Sequence, residues 1–232
     1  VVRFFVVTGA SKRGWTTWTT AAVDEPRIDY DPATLAVRGL LIEGQRTNLI
    51  LNSATFVTQN VTVTNVPHTL SFYGTGTIAL TGTASPEVSL VGAGWTTLAS
   101  LTFTPTAGTL TLTLSGSAIY AQLEAGVYAT SWIATTSAPV TRAADECWTS
   151  AISPWFNEDE GTLFAEYMVP WAYLAADTDY RRIAQIDNGS LNEFHILYTY
   201  GGTRYAEAYS GTVSQGLLNL GAISQTVAHR QA

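Results

Sequence analysis

Period-two alternation in short runs punctuated by turn residues is the feature that most constrains this chain. Its clearest instance is Thr109 to Ser115, where Leu110, Leu112 and Leu114 fall on one side of an extended backbone and Thr111 and Thr113 on the other. A helix would scatter those leucines around its circumference; a strand lays them on one face. The same texture runs from residue 54 to 126. In the run Val57 to Val66, Val57, Gln59, Val61 and Val63 alternate with Thr58, Asn60, Thr62 and Thr64. Thr69 to Tyr73 and Thr77 to Thr81 flank Gly74-Thr75-Gly76, which reads as a hairpin turn. Pro86 to Val91, Trp95 to Thr104 and Ile119 to Leu123 extend the series to about eight short strands at roughly 8–12-residue spacing, the pattern of a jelly roll or β-sandwich.

Composition points the same way. Of 232 residues, 46% are hydrophobic and only 12% charged, so cores can form while the usual ionic surface is missing. Thr, Ser and Gly supply the polarity and Lys12 is the only lysine, which suits threonine-faced sheets better than a helical bundle. Eleven tyrosines and seven tryptophans with so little charge oppose disorder. The net charge is −7, and no basic cluster exceeds Lys12-Arg13 or Arg181-Arg182. A nucleic-acid partner therefore lacks its electrostatic footprint, and an anionic membrane surface has nothing to attract. No apolar run reaches the roughly 18 residues of a membrane-spanning helix. Cys147 is alone, and His68, His195 and His229 are dispersed, so neither an internal disulfide nor a metal cluster is expected. The start Val1-Val2-Arg3-Phe4-Phe5 lacks the features of a secretory signal, and the chain is expected to be a fragment of a longer polypeptide.

Residues 26 to 53, PRIDYDPATLAVRGLLIEGQRTNLILNS, have the densest local logic. Pro26 and Pro32 fix φ and oppose a helix, and Asp29 and Asp31 suit Asx-type turns. Gly39 allows a bend before Leu40-Leu41-Ile42. A second turn at Gly44 leads through Arg46-Thr47-Asn48 to Leu49-Ile50-Leu51. The two apolar runs predict two short buried strands, with Glu43, Arg46 and Asn48 satisfying the backbone groups that the turns leave open.

This segment resembles the "GLLIE-x-x-RTNL-x-LNS" segment of bacteriophage virion proteins of the tail-fibre, head-fibre and spike type, which carry a carbohydrate-binding-module-like β-sandwich. The likeness is dense over residues 26 to 53 and looser to about residue 145. Gly44 stands where the family usually has a second acidic residue. The resemblance makes Asp29, Asp31, Arg38, Glu43, Arg46 and Asn48 structural motif residues. It also implies a particle-surface location, other virion proteins as partners, a homotrimer, and a possible host cell-surface glycan. Gly161-Thr162-Leu163-Phe164-Ala165-Glu166 resembles the opening strand of concanavalin-A-like lectin/glucanase sandwiches. The expected organisation is an N-terminal attachment segment at 1–25, a jelly-roll or β-sandwich module at 26–126, a linker at 127–150, and an incomplete second sandwich at 151–232. Its strands are expected at Thr162 to Val169, Arg181 to Asp187, Glu193 to Tyr200 and Arg204 to Tyr209. Missing strands beyond Ala232, or a neighbouring chain, would cover its open sheet.

The residues that could carry chemistry are few. Glycoside hydrolysis needs two opposed carboxylates. Glu158, Asp159 and Glu160 form one acidic run that reads as a solvated turn, and Glu166, Asp187 and Glu193 show no strand-borne catalytic pattern, so no catalytic residue is assigned. The pairs Asp29/Asp31 and Asp177/Asp179 are too small for calcium, which wants six to eight oxygens, and read as turn holders. Trp15 and Trp18, three apart, fall on opposite sides of a strand and read as packing under the motif segment or against a neighbouring subunit, with sugar stacking the alternative. A pyranose needs an aromatic face beside amides or carboxylates. Trp95, Tyr120, Gln122, Glu124, Tyr128 and Trp132 offer that mixture, with core or linker packing the competing role for Trp95 and Trp132. The reading is a virion structural module with a glycan-attachment role and no cofactor. A polysaccharide-depolymerase fragment and a secreted bacterial lectin domain are the alternatives.

Overall fold

A computed structural model describes residues 3–5, 11–13, 18–20, 25–30, 34, 36–150, 152, 157, 160–169, 180–190, 192–223 and 229–231. Among these residues every regular element is a strand, as the alternation predicts. The chain divides into two compact units, Val1–Ala151 and Ile152–Ala232.

The first unit begins with β1 (Arg3–Phe5), β2 (Ser11–Arg13), β3 (Trp18–Thr20), β4 (Ile28–Tyr30), β5 (Val37–Leu40) and β6 (Arg46–Asn48). It continues with β7 (Gln59–Val63), β8 (His68–Gly74), β9 (Thr77–Gly82), β10 (Val88–Val91), β11 (Gly94–Phe103), β12 (Gly108–Ser115) and β13 (Ala118–Ala125), then β14 (Val140–Arg142) and β15 (Glu146–Trp148). Two antiparallel sheets carry the core, a four-stranded one ordered β10-β9-β12-β7 and a three-stranded one ordered β11-β8-β13. Leu110 and Leu112 of β12, Ile78 and Leu80 of β9, and Val61 and Val63 of β7 meet Leu70 and Phe72 of β8 and Ala121 and Leu123 of β13 in one buried cluster. That is the sandwich the alternation required: each fully buried Leu, Ile or Phe contributes about 1.5–3 kcal/mol over its exposed state.

Three local expectations are corrected. Gly74-Thr75-Gly76 closes no hairpin, because β8 and β9 lie in different sheets and the chain crosses between them there. The glycines are needed for close approach. A Cβ on Gly76 would sit 2.7 Å from the Ser117 nitrogen, and the Gly76 N–H donates to the Ser117 carbonyl at 2.9 Å. The run around Leu40 is not buried: Val37 is 65% exposed and Ile42 49%, and among the described residues β4 and β5 pair only with each other. Asp29 lies within β4 and pairs loosely with Arg38 of β5 at 3.8 Å instead of holding a turn; Asp31 lies outside the described residues.

The face of the three-stranded sheet turned away from the apolar core is covered as well. Thr69 and Ser71 of β8 and Gln122 and Glu124 of β13 share that face and are all buried. Their cover is the motif segment together with residues 127–145, joined where β6 pairs with β14. Residues 127–150, expected to bridge two domains, therefore supply buried groups to the first unit: Thr130, Trp132, Ile133, Thr135 and Arg142. The attachment segment expected at 1–25 also contributes a strand, since β1 pairs with β15.

In the second unit, β16 (Ala165–Tyr167) pairs with β21 (His229–Gln231), and β17 (Arg181–Asp187), β18 (Phe194–Tyr200), β19 (Thr203–Ser210) and β20 (Val213–Ala222) form an antiparallel meander in chain order. Ile196, Leu197 and Tyr198 of β18 are its buried hydrophobic residues among those described. Ring pairs in register, Phe194–Tyr209 at 4.6 Å and Tyr198–Tyr205 at 5.3 Å, tie β18 to β19 across one face. The fourth meander strand, β20, has no counterpart among the expected strands.

Candidate functional site

The polar residues of the motif segment fold inward. Glu43, 7% exposed, accepts from Arg27 Nη1 at 2.7 Å and Arg142 Nη1 at 3.0 Å through Oε2, and from the Ser131 backbone N–H at 2.8 Å through Oε1. Arg27 Nη2 also bonds Asp145 Oδ2, which accepts from the Glu43 N–H at 2.8 Å, while the Asp145 N–H donates to the Glu43 carbonyl at 2.8 Å. Arg142 Nη2 reaches the Gly44 carbonyl at 2.9 Å. Two guanidinium groups and two carboxylates thus lie out of water together. Burial alone would raise the Glu43 pKa, but Arg142 and Arg27 outweigh it, so the carboxyl sits below its ordinary value. The same burial lowers the Arg142 pKa, opposed by Glu43.

Asn48 completes the clamp without charge. Its Nδ2 donates to the Ala121 carbonyl at 3.1 Å and the Ile133 carbonyl at 2.8 Å. Its Oδ1 accepts from the Ile50 and Leu123 N–H groups at 3.1 and 3.2 Å. All four hydrogen-bonding positions of one fully buried amide are filled by backbone.

Arg46 lies at the edge of this layer. Its Nε stands 3.6 Å from Glu124 Oε2, Nη1 donates to the Gln45 carbonyl at 2.9 Å, and the guanidinium carbon lies 5.1 Å from the centre of the Tyr128 ring. Gly126, at φ 147°, makes room: a Cβ there would come within 3.0 Å of Arg46 Nε. Beside Arg46 a cleft of about 440 Å³ opens at the end of the sandwich, where β6 and β7 approach the start of β8 and the end of β13. Leu49, Val63 and Ala125 give it apolar surface, and Gln45, Thr62, Thr64 and His68 give it polar groups. His68 Nδ1 is tied to the Val66 carbonyl at 2.8 Å.

The six residues expected to form a sugar face are not presented together. Gln122 and Glu124 are 1% and 0% exposed. Gln122 Oε1 accepts from the Ile133 N–H at 2.6 Å, and Glu124 accepts from Gln122 Nε2, the Thr130 N–H and the Thr130 hydroxyl, each at 2.7 Å. Burial raises the Glu124 pKa, these hydrogen bonds and Arg46 opposing it. Trp132 is 8% exposed; it donates through Nε1 to Ser53 Oγ at 3.2 Å and meets the half-buried Tyr120 edge-on at 4.8 Å. Tyr128 is the half-buried partner of Arg46. Trp95, 46% exposed, lies in β11 where the pairing register slips between Gly94 and Ala99. Gln122 and Glu124 were expected to supply hydrogen bonds beside an aromatic face; the cover from residues 127–145 buries both.

Among the acids weighed for hydrolysis, Asp187 accepts from Gln185 Nε2 and the Gly189 N–H, and Glu193 accepts from the Gly211 N–H, so both hold turns. Glu158, Asp159, Asp177 and Asp179 lie outside the described residues, as do Trp15 and the side chain of Trp18. No group of three His, Cys, Asp or Glu able to hold a metal occurs among the described residues. Arg27, Arg142 and Asp145 gained no role from sequence alone. Nothing local singled them out, since Arg27 stands among Asp24, Glu25, Asp29 and Asp31 and Asp145 stands beside Glu146. His68, Thr62 and Thr64 carried no signal, because only the ends of separate strands bring them together.

The model of the family "PhoPQ-activated pathogenicity-related protein" matches residues 1–30. That span stops short of Glu43 and of every residue lining the cleft. No curated protein and no solved structure matches the chain.

Proposed function

We propose that this chain is a structural component of a tailed phage or phage-like particle, a fibre, spike or tail-associated module that attaches to host-surface glycan and carries no reaction centre. The observation that carries the reading is the use made of the segment at 26–53. Its resemblance is to a family defined by architecture, and Glu43 and Asn48 are spent inside the fold on residues 121–145. An acid kept for catalysis must reach a substrate; these groups hold layers together.

The remaining features fit a scaffold among like neighbours. Val37, Ile42, Val213, Leu217 and Leu218 are exposed apolar side chains of the kind that subunit contacts cover. Other virion proteins and two further copies of this chain are the partners the reading names. The test is immunogold electron microscopy of particles with an antibody to this chain, together with its sedimentation and a glycan array. Label on a fibre or spike, trimer mass and glycan retention without product release are the expected results. Released oligosaccharide would replace the reading by a depolymerase. A monomer absent from particles would replace it by a secreted lectin.

A further inference from the structure

We propose that the cleft beside Arg46 receives a carboxylated pyranose, a uronate-type residue of a surface glycan, with its carboxylate on the Arg46 guanidinium. This deepens the glycan-attachment reading above and rests on it. Size is the first argument: about 440 Å³ falls within the usual range for small-ligand sites and accommodates a sugar ring with its substituents. Surface chemistry is the second. Leu49 and Ala125 offer an apolar patch to the C–H face of a pyranose, and the exposed Thr62 and Thr64 hydroxyls stand where ring hydroxyls need partners. A bare oxyanion would have no use for the apolar part.

Charge decides the class. Arg46 is the one Arg, Lys, Asp or Glu among the residues lining the cleft. Its guanidinium is held on three sides, by the Gln45 carbonyl at 2.9 Å, Glu124 Oε2 at 3.6 Å and the Tyr128 ring. Nη2 has no hydrogen bond among the described residues, so this edge of the fork is available to a carboxylate. Glu124 is fully buried, so it fixes the guanidinium without occupying the cleft. The site is set before the ligand arrives, which reduces the ordering cost of binding.

The test is calorimetric titration of the full chain with methyl β-D-glucuronide, methyl β-D-glucoside and inorganic sulfate, repeated on two variants. Thr64→Glu puts a carboxylate at the exposed rim of the cleft, and its melting temperature checks the fold. Trp95→Ala removes the exposed ring elsewhere on the same unit. The glucuronide should bind at least about tenfold tighter than the glucoside or sulfate, the worth of one charge-assisted hydrogen bond. Thr64→Glu should abolish binding and Trp95→Ala leave it unchanged. Equal affinity for the glucoside overturns the acidic class, and equal affinity for sulfate overturns the sugar. Binding that survives Thr64→Glu or falls with Trp95→Ala overturns the site. If array glycans are retained while the glucuronide does not bind, this proposal fails and the attachment reading stands; if no glycan is retained, both fail.

Discussion

Glu43→Gln tests the clamp with the least change of shape. In the native protein the Glu43 carboxylate faces Arg27 and Arg142 at 2.7 and 3.0 Å, with side chains 1%, 4% and 0% exposed for Arg27, Glu43 and Arg142. The amide keeps an oxygen for one guanidinium but removes the negative charge, leaving two buried cations to share Asp145. Removing one partner from a buried ion pair costs about 3–5 kcal/mol, and the retained oxygen puts this variant near the lower figure. For a unit of this size each kcal/mol shifts the midpoint by roughly 2–4 °C, so about 3 kcal/mol should lower melting by about 6–12 °C. Calorimetry at neutral pH gives the measurement, with Asp29→Asn, in the looser and partly exposed pair with Arg38, expected to change little. The pH dependence supplies a second check. The Glu43 carboxyl is lowered in the folded state, so its contribution is complete above the ordinary carboxylate pKa and disappears as pH falls through the lowered value. The gap between wild type and Glu43→Gln should therefore hold at mildly acid pH and close only well below it. A melting point unchanged at neutral pH would refute the view that this carboxylate holds the layer.

Three further outcomes are expected. Asn48→Ala, which removes four buried hydrogen bonds and leaves the Ile133 carbonyl only its longer bond from Ser53 Oγ, should destabilise the unit by about 2–4 kcal/mol in urea titration, and a loss under 1 kcal/mol would mean that water replaces the amide. Arg46→Ala should cost roughly 1–3 kcal/mol, through the bond lost to the Gln45 carbonyl and the buried Glu124 left without its cation; no thermal shift would remove Arg46 from the structural motif. Glu124 has the opposite pH sign to Glu43: its pKa is raised in the folded state, so its contribution is complete below the ordinary carboxylate pKa and is lost as pH rises through the raised value. Urea midpoints measured across that window should fall with rising pH in the native chain, and this component should be absent in Glu124→Gln.

The sandwich was legible because one face of each core strand is apolar and the other is not. Leu110, Leu112 and their partners needed no tertiary information to be assigned inward. Hairpins were less legible, since a Gly-x-Gly between two strands permits a turn within a sheet as readily as a crossing between sheets; the close backbone approach at Gly76 is visible only in three dimensions. The apolar run at Leu40 misled for a related reason. Burial depends on a covering layer, and among the described residues β4 and β5 pair only with each other, leaving Val37, Leu40 and Ile42 exposed.

The sugar face was misjudged by the same missing information in reverse. Gln122 and Glu124 alternate with the core residues Ala121 and Leu123, so on a two-layer sandwich they would meet solvent. Here a third, mostly irregular layer lies over them, built from the motif segment and residues 127–145. Such a layer cannot satisfy its backbone by ladder pairing alone, because among the described residues its ladders are the short β4–β5 and β6–β14 pairs. Side chains must take the remaining bonds. Gln122, Glu124, Asn48 and Ser53 do so, bonding the backbone of residues 130–135. Arg27 and Arg142 then balance the carboxylates that this layer draws out of water. The motif's charged residues follow from the need to fasten an irregular layer to a sheet. Arg46, at the margin where that layer ends, stands beside the cleft, whereas Arg27 and Arg142 are buried.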